Sequence, residues 1–210
     1  PSQAIATVKF YISSAHTKNI NIPIYTRVSS SNGIPFYTTE NKVLYAGETS
    51  VEVIAKSGTL NTETFICTGI AGYKYKLRNS PVNAIEYVKV NGVEYSYSEY
   101  IDIESQDKYY TTEFTNDFIC SIKFGDGTYG INPAKNTIIE VYYVTGADST
   151  HNVDPFTIVN VSDNLYDSSN ALINVSVTNM QNAVGGSSAE TPDEVKRNAP
   201  SIYRTQHRCV

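Results

Sequence analysis

The chain predicts a mainly β fold, in antiparallel sheets and hairpins, with a short helical segment at its C-terminal end. Three observations carry this. Ala4 to Ile12 places Ala6, Val8, Phe10 and Ile12 on one face and Ile5, Thr7, Lys9 and Tyr11 on the other, the period of two of a half-buried strand. Asn91-Gly92 stands between two alternating runs, Ile85 to Val90 and Val93 to Tyr97, and both turn residues tolerate the positive φ of a tight hairpin. The chain has 17 Tyr in 210 residues, and with Val, Ile and Thr these favour pleated, half-buried surfaces.

The remaining elements follow in order. Ile20 to Val28 reads as a second extended run, with Pro23 marking an edge or an entry. Ser29 to Gly33 is a turn cluster, Phe36 to Thr39 is short and β-prone, and Thr49 to Ala55 alternates with Val51 and Val53 on one face. Thr59 to Asn83 contains Gly69, Gly72 and Pro81 and is expected to be looped or only partly paired. A break near 59–84 would divide the β-rich body, residues 1–182, in two. Tyr109 to Phe114 and Ile119 to Phe124 give two strands. Thr137 to Val144 is apolar on both faces, so it is expected to be covered on both. Val153 to Val161 is extended, and Ala171 to Met180 alternates with Ile173, Val175 and Val177 facing in.

Residues 183–210 read differently. Gly185-Gly186 forms a linker, and a helix start follows. Thr191 is its cap, Pro192 its first residue, and Glu194 reaches back to the cap N–H. Asp193 and Glu194 lie at the positive end of the helix dipole; Lys196, Arg197, Arg204 and Arg208 come later.

Composition narrows the function classes. The formal net charge is -5, from 16 bases and 21 acids. Setting aside the four bases of the tail leaves 12 against 21, a balance of -9, which does not suit a nucleic-acid binder. Cys67, Cys120 and Cys209 are odd in number and none pairs at metal spacing, so buried free thiols are expected for the first two. No run of about 18 apolar residues predicts a membrane span. The chain opens without Met, as a piece of a longer protein would.

Few motifs offer chemistry. Gly125-Asp126-Gly127-Thr-Tyr-Gly130 matches the dinucleotide pattern literally, but that reading needs a helix next, and Ile131-Asn-Pro133 followed by a strand comes instead. A structural turn at Asp126-Gly127 is the expectation, as at Asn91-Gly92. His16, His151 and His207 stand apart from any nucleophile motif, and the acids lack a calcium-loop spacing. The sequence therefore predicts no enzyme, no catalytic or metal residues and no cofactor.

Two segments together resemble a known family. One is Phe124 to Pro133 with Thr137-Ile-Ile-Glu-Val-Tyr-Tyr-Val144 and Asn152-Val153. The other is Gly185-Gly186, Thr191-Pro-Asp-Glu-Val-Lys-Arg197, Ala199-Pro200 and Arg204-Thr-Gln-His-Arg208-Cys-Val210. In order and spacing they are similar to the baseplate J-like family, and within it to the large wedge subunits of T-even-type contractile-tailed phages. Ile22-Pro23-Ile-Tyr25-Thr26 with Phe36-Tyr-Thr38 resembles the family's early "IPxGT…FxT" stretch, with Tyr25 in place of the usual glycine.

The resemblance implies a structural subunit of the baseplate wedge, in the virion tail and assembled in the host cytoplasm. It implies packing with a second copy of itself and with other wedge proteins, within a large symmetric assembly that rearranges on firing. Arg197, Arg204, Gln206 and Arg208 become candidate subunit contacts. It also implies a larger α+β protein, with the tail leading into a further C-terminal domain through a Thr-x-x-Asp-Tyr segment. The alternative from another class is a carbohydrate-binding tail or surface β module. Abundant Tyr favours it; the lack of Trp and of any aromatic cluster within one loop counts against it.

Overall fold

The computed structural model describes residues 2–99, 104, 106–115 and 119–188. The predicted helical segment lies outside them, with its caps Thr191 and Glu194 and the candidate contacts Arg197, Arg204, Gln206 and Arg208. The described chain is mainly β, and its one helical turn is the 3-10 segment Ser149–His151. The first strands are β1 (Ile5–Tyr11), β2 (Ile20–Ile22), β3 (Arg27–Ser30), β4 (Pro35–Thr38), β5 (Lys42–Leu44) and β6 (Ser50–Ser57). Then come β7 (Thr59–Ile66), β8 (Lys74–Lys76), β9 (Val82–Val90), β10 (Val93–Tyr97), β11 (Tyr109–Phe114), β12 (Cys120–Phe124) and β13 (Ile138–Thr145). The last are β14 (Ile158–Val161), β15 (Leu165–Asp167), β16 (Leu172–Ile173) and β17 (Ser176–Asn179).

These strands surround two apolar cores. A six-stranded sheet, ordered β14-β3-β4-β6-β1-β17, carries the first. Ala6, Val8 and Phe10 of β1 are buried there, as the alternation of that run predicts. The outer strands β14 and β17 lie against each other, so the sheet rolls up around the cluster. Asn179 fastens the seam. Its side-chain oxygen accepts the N–H groups of Thr157 at 3.0 Å and Ile158 at 2.9 Å. Its amide nitrogen donates to the carbonyls of Asp154 at 2.9 Å and Gln181 at 2.8 Å. A small sheet, β16-β15-β2-β5, adds Ile20, Ile22, Leu44 and Leu165 to the same core.

The second core is built by the continuous stretch from β7 to β13, in the order β7-β13-β9-β10-β11-β12-β8. Its edges also meet, through side chains rather than a ladder. The Phe65 and Tyr75 rings lie 5.6 Å apart. Glu63 accepts the Arg78 N–H at 2.7 Å, and Asn79 donates to Asn61 at 2.7 Å. Cys67 and Cys120 are buried free thiols in this core, and burial pushes the Cys120 thiol up to about 11.

The hairpin at Asn91-Gly92 forms as predicted, with φ of 48° and 78° and Val90 opposite Val93. Other local expectations need correction. Thr59–Ile66 is a full eight-residue strand, paired with β13 along its length. Its alternation is faint because Asn61 and Glu63 share the face of Phe65 while Thr62 and Thr64 share the face of Leu60 and Ile66, so neither face is purely apolar. β13 is covered on both faces only at its far end, where Val144 is buried over Gly58; Ile138 at its start is 50% exposed. Ile20 to Val28 and Ala171 to Met180 each divide into two strands that join different sheets. Finally, β10 and β11 run parallel, whereas the other strand pairs among the described residues are antiparallel.

Asp167 ties the small sheet together through a buried carboxylate. Its side chain is 2% exposed. One carboxylate oxygen accepts the Ser169 hydroxyl at 2.7 Å and the N–H groups of Ser169 at 2.8 Å and Ala171 at 3.0 Å; the other meets His16 Nε2 at 3.1 Å. The Ser169 hydroxyl first, then the Ala171 N–H and His16, hold this carboxyl well below the usual range. A depressed folded-state value means stability that is present above the unfolded value of about 3.9 and lost as pH falls toward the folded one. Urea midpoints measured from pH 5 to pH 2 should therefore fall more steeply in the parent than in Asp167→Asn. Parallel curves would show that Asp167 does not contribute.

Candidate functional site: a threonine-locked turn and a tyrosine cleft

Between β2 and β3 the chain turns through Pro23-Ile-Tyr-Thr26, closed by the Thr26 N–H on the Pro23 carbonyl at 3.3 Å. Tyr25, third in the turn, has φ of 66°, the left-handed conformation that normally asks for glycine there. Two buried threonines lock this turn. The Thr26 hydroxyl donates to the Pro23 carbonyl at 2.7 Å, and the Thr38 hydroxyl donates to the same carbonyl at 2.8 Å. The Thr38 hydroxyl also accepts the Thr26 N–H at 3.0 Å, and the Tyr25 N–H reaches the Thr38 carbonyl at 2.8 Å.

The strained position presents Tyr25 to the second sheet. Its ring centroid lies 5.5 Å from that of Tyr142, 6.1 Å from Tyr87 and 6.1 Å from Tyr37. Tyr87 and Tyr142 are opposite one another on β9 and β13, stacked at 4.7 Å and 13°. Lys89 sits 4.2 Å over the Tyr87 ring. A bulge in β9 skips Glu86 in the ladder, and a bulge re-aims its side chain. Glu86 accepts the Tyr37 hydroxyl at 2.6 Å, joining the two sheets.

A cleft of about 490 Å³ opens beside this cluster, walled by the turn, Leu60, Thr62, Tyr87, Tyr142 and Asp163 to Leu165. Arg27 crosses its rim. Its backbone N–H and its Nε donate to the two Asp163 oxygens at 2.6 Å and 2.9 Å. Burial alone would raise the Asp163 carboxyl, but the Arg27 bonds hold it below the usual range. Burial, with the charge of Glu86 adding, pushes the Tyr25 phenol up to about 12, and burial also raises Tyr87. Both therefore stay hydroxyl donors at neutral pH.

The Gly125–Gly130 segment is a closed turn. The Asp126 side chain accepts the N–H groups of Thr128 and Tyr129, each at 2.8 Å, and the Tyr129 N–H bond is the chief cause of its lowered carboxyl. Gly127 donates to the Gly130 carbonyl at 2.9 Å, so the loop's donors point inward. A side chain on Gly125 would lie 2.4 Å from the Gly130 backbone, and one on Gly130 would lie 1.9 Å from the Tyr109 ring. Gly130 also has φ of 73°. Gly130→Ala should cost about 2–4 kcal/mol, from overpacking and left-handed strain together, read by urea unfolding.

His16 is engaged with Asp167, and His151 is buried in the 3-10 turn; neither lines the cleft. Among the described residues no three His, Cys, Asp or Glu side chains converge as a metal site. No helix among them is long and apolar enough to cross a membrane. The structure places the turn residues Asn91 and Gly92 at the β9–β10 hairpin, at the end of the strand that carries Tyr87 but outside the cleft lining. The cleft itself is what sequence reasoning missed: its aromatics are scattered from Tyr25 to Tyr142 and meet only in space. The one available signal was Tyr25 itself, a bulky residue where a turn asks for glycine.

Compared with protein-family models and with curated proteins, the chain matches none.

Proposed function

We propose that this chain is a structural subunit of a baseplate wedge in a phage contractile tail or a related injection machine. It scaffolds the ring around the hub and tube, packs with a second copy of itself and with other wedge proteins, and takes part in the ring's rearrangement on firing. It is assembled in the host cytoplasm and resides in the virion. The observation that carries the reading is the threonine lock. The residues of the family-like "IPxGT…FxT" stretch act together here: Pro23 supplies the carbonyl, Thr26 and Thr38 both bind it, and Tyr25 occupies the left-handed position where the family has glycine.

That agreement generates a local test of the motif. At a left-handed position alanine keeps the strain and glycine relieves it, while both lose the Tyr25 ring. Tyr25→Gly should therefore be more stable than Tyr25→Ala by about 1 kcal/mol in urea unfolding, the reverse of the usual order. The function is tested on particles. An epitope-tagged chain should co-purify with tails, and gold labelling should decorate the baseplate end. Tails free of the protein, or label along the sheath alone, would sink the wedge reading.

A further inference from the structure

We propose that the tyrosine cleft is a binding site for a neutral saccharide, a role separate from scaffolding and independent of the wedge reading. Its volume of about 490 Å³ falls within the range of small-ligand pockets. Its walls combine ring surface with unspent hydrogen-bonding capacity. The hydroxyls of Tyr25, Tyr87 and Tyr142 have no hydrogen-bond partner among the described residues, and none is sealed away from solvent. Arg27 uses Nε and Nη2 on Asp163, leaving Nη1 without a partner among the described residues, and its side chain is 64% exposed. Asp163 Oδ1 is filled by Arg27 Nε and Nη2, while Oδ2, which takes the Arg27 backbone N–H, retains one accepting site. Aromatic carbon beside a fixed array of donors and acceptors suits a ligand with apolar C–H faces and a hydroxyl rim.

The charge and geometry exclude the competing ligand classes. Arg27 is neutralised by Asp163, and Glu86, Glu94 and Glu140, which all act to raise the phenols of the cluster, outnumber Lys89 over the Tyr87 ring, so the local balance is acidic. A phosphate, nucleotide or acidic sugar would enter against that balance. The Tyr87 ring already carries the Lys89 ammonium at 4.2 Å, so a second cation there would meet a like charge. An acyl chain would leave the phenols without partners and strip water from the Arg27–Asp163 pair.

The experiment is saturation-transfer NMR and calorimetry on the intact chain, with maltose, cellobiose, lactose and N,N′-diacetylchitobiose as probes. Sialyllactose, glucose 6-phosphate and choline form the comparison arm. At least one neutral disaccharide should bind. Tyr87→Phe with Tyr142→Phe keeps both rings and should weaken that binding about tenfold or more, with an unchanged melting temperature. Tyr45→Phe, at an exposed tyrosine outside the cleft, should leave it intact. Binding of none of the four, preference for an anionic or cationic probe, or equal affinity in the double phenylalanine variant would each overturn the proposal. If the double variant misfolds, Thr62→Val, on the same wall, carries the same test.

Discussion

Replacing Asn179 should strongly destabilise the first sheet system. Asn179 is fully buried, and its amide spends all its capacity across the β14–β17 seam: two N–H groups accepted, two carbonyls served. Alanine would leave the N–H groups of Thr157 and Ile158 and the Gln181 carbonyl without that partner, while the Asp154 carbonyl keeps the Thr157 hydroxyl at 2.6 Å. At about 1–3 kcal/mol for each buried unsatisfied N–H, with partial relaxation, Asn179→Ala should cost about 2–4 kcal/mol. Against a typical total of about 5–15 kcal/mol, that is a large share of the margin.

Asn179→Asp separates hydrogen bonding from charge. The aspartate keeps the acceptor for Thr157 and Ile158 but turns a second acceptor toward the carbonyls of Asp154 and Gln181. Burial beside two carbonyl oxygens raises that carboxyl's folded-state value above the unfolded one. The sign is then opposite to that at Asp167. The penalty is full above the raised value and fades as protonation restores a donor, so the variant should gain stability between pH 7 and pH 5. Urea midpoints that fall over that interval would contradict the proposed geometry of the seam.

Much of the fold was legible because strand burial has a short period. Val8 and Phe10 face inward, and Asn91-Gly92 turns, for local reasons that eight or nine residues contain. The failures share a cause. Thr59–Ile66 hides its alternation because threonine and asparagine serve a strand face that is only half-buried. Val153 to Val161 was read as extended throughout, but Phe156 turns left-handed with φ of 63°, and its N–H is taken by the Asn179 carbonyl at 2.7 Å. That seam joins residues more than twenty positions apart, which no local pattern displays. The cleft was illegible for the same reason in a stronger form: Tyr25, Tyr87 and Tyr142 converge through sheet order and a bulge at Glu86. The charge of the tail was legible, but it concerns residues outside those described.

Tyr37 is where the two sheet systems should come apart. Its ring is fully buried on β4, and its hydroxyl donates to Glu86 on β9 while accepting from Gln3 at 2.8 Å. Gln3 in turn donates to the Ser57 carbonyl at 2.7 Å, one residue before the Gly58 crossing into β7. Burial first, and then the hydrogen bond to Glu86, push this phenol far above its ordinary value, so the donor persists into alkaline solution. Tyr37→Ala removes a large buried ring and should cost about 3–5 kcal/mol, the range for aromatic truncation in cores. Tyr37→Phe keeps the ring and should cost only about 1–2 kcal/mol, the share of the hydroxyl. The alanine variant should also change the form of unfolding. The two cores share no apolar cluster, so cooperativity between them rests on contacts such as this one. Calorimetry of the parent should give one transition and of Tyr37→Ala two, with Tyr37→Phe still giving one. A single sharp transition in Tyr37→Ala would mean that the tyrosine cluster around Tyr25, or the Gly58 crossing, couples the cores without it.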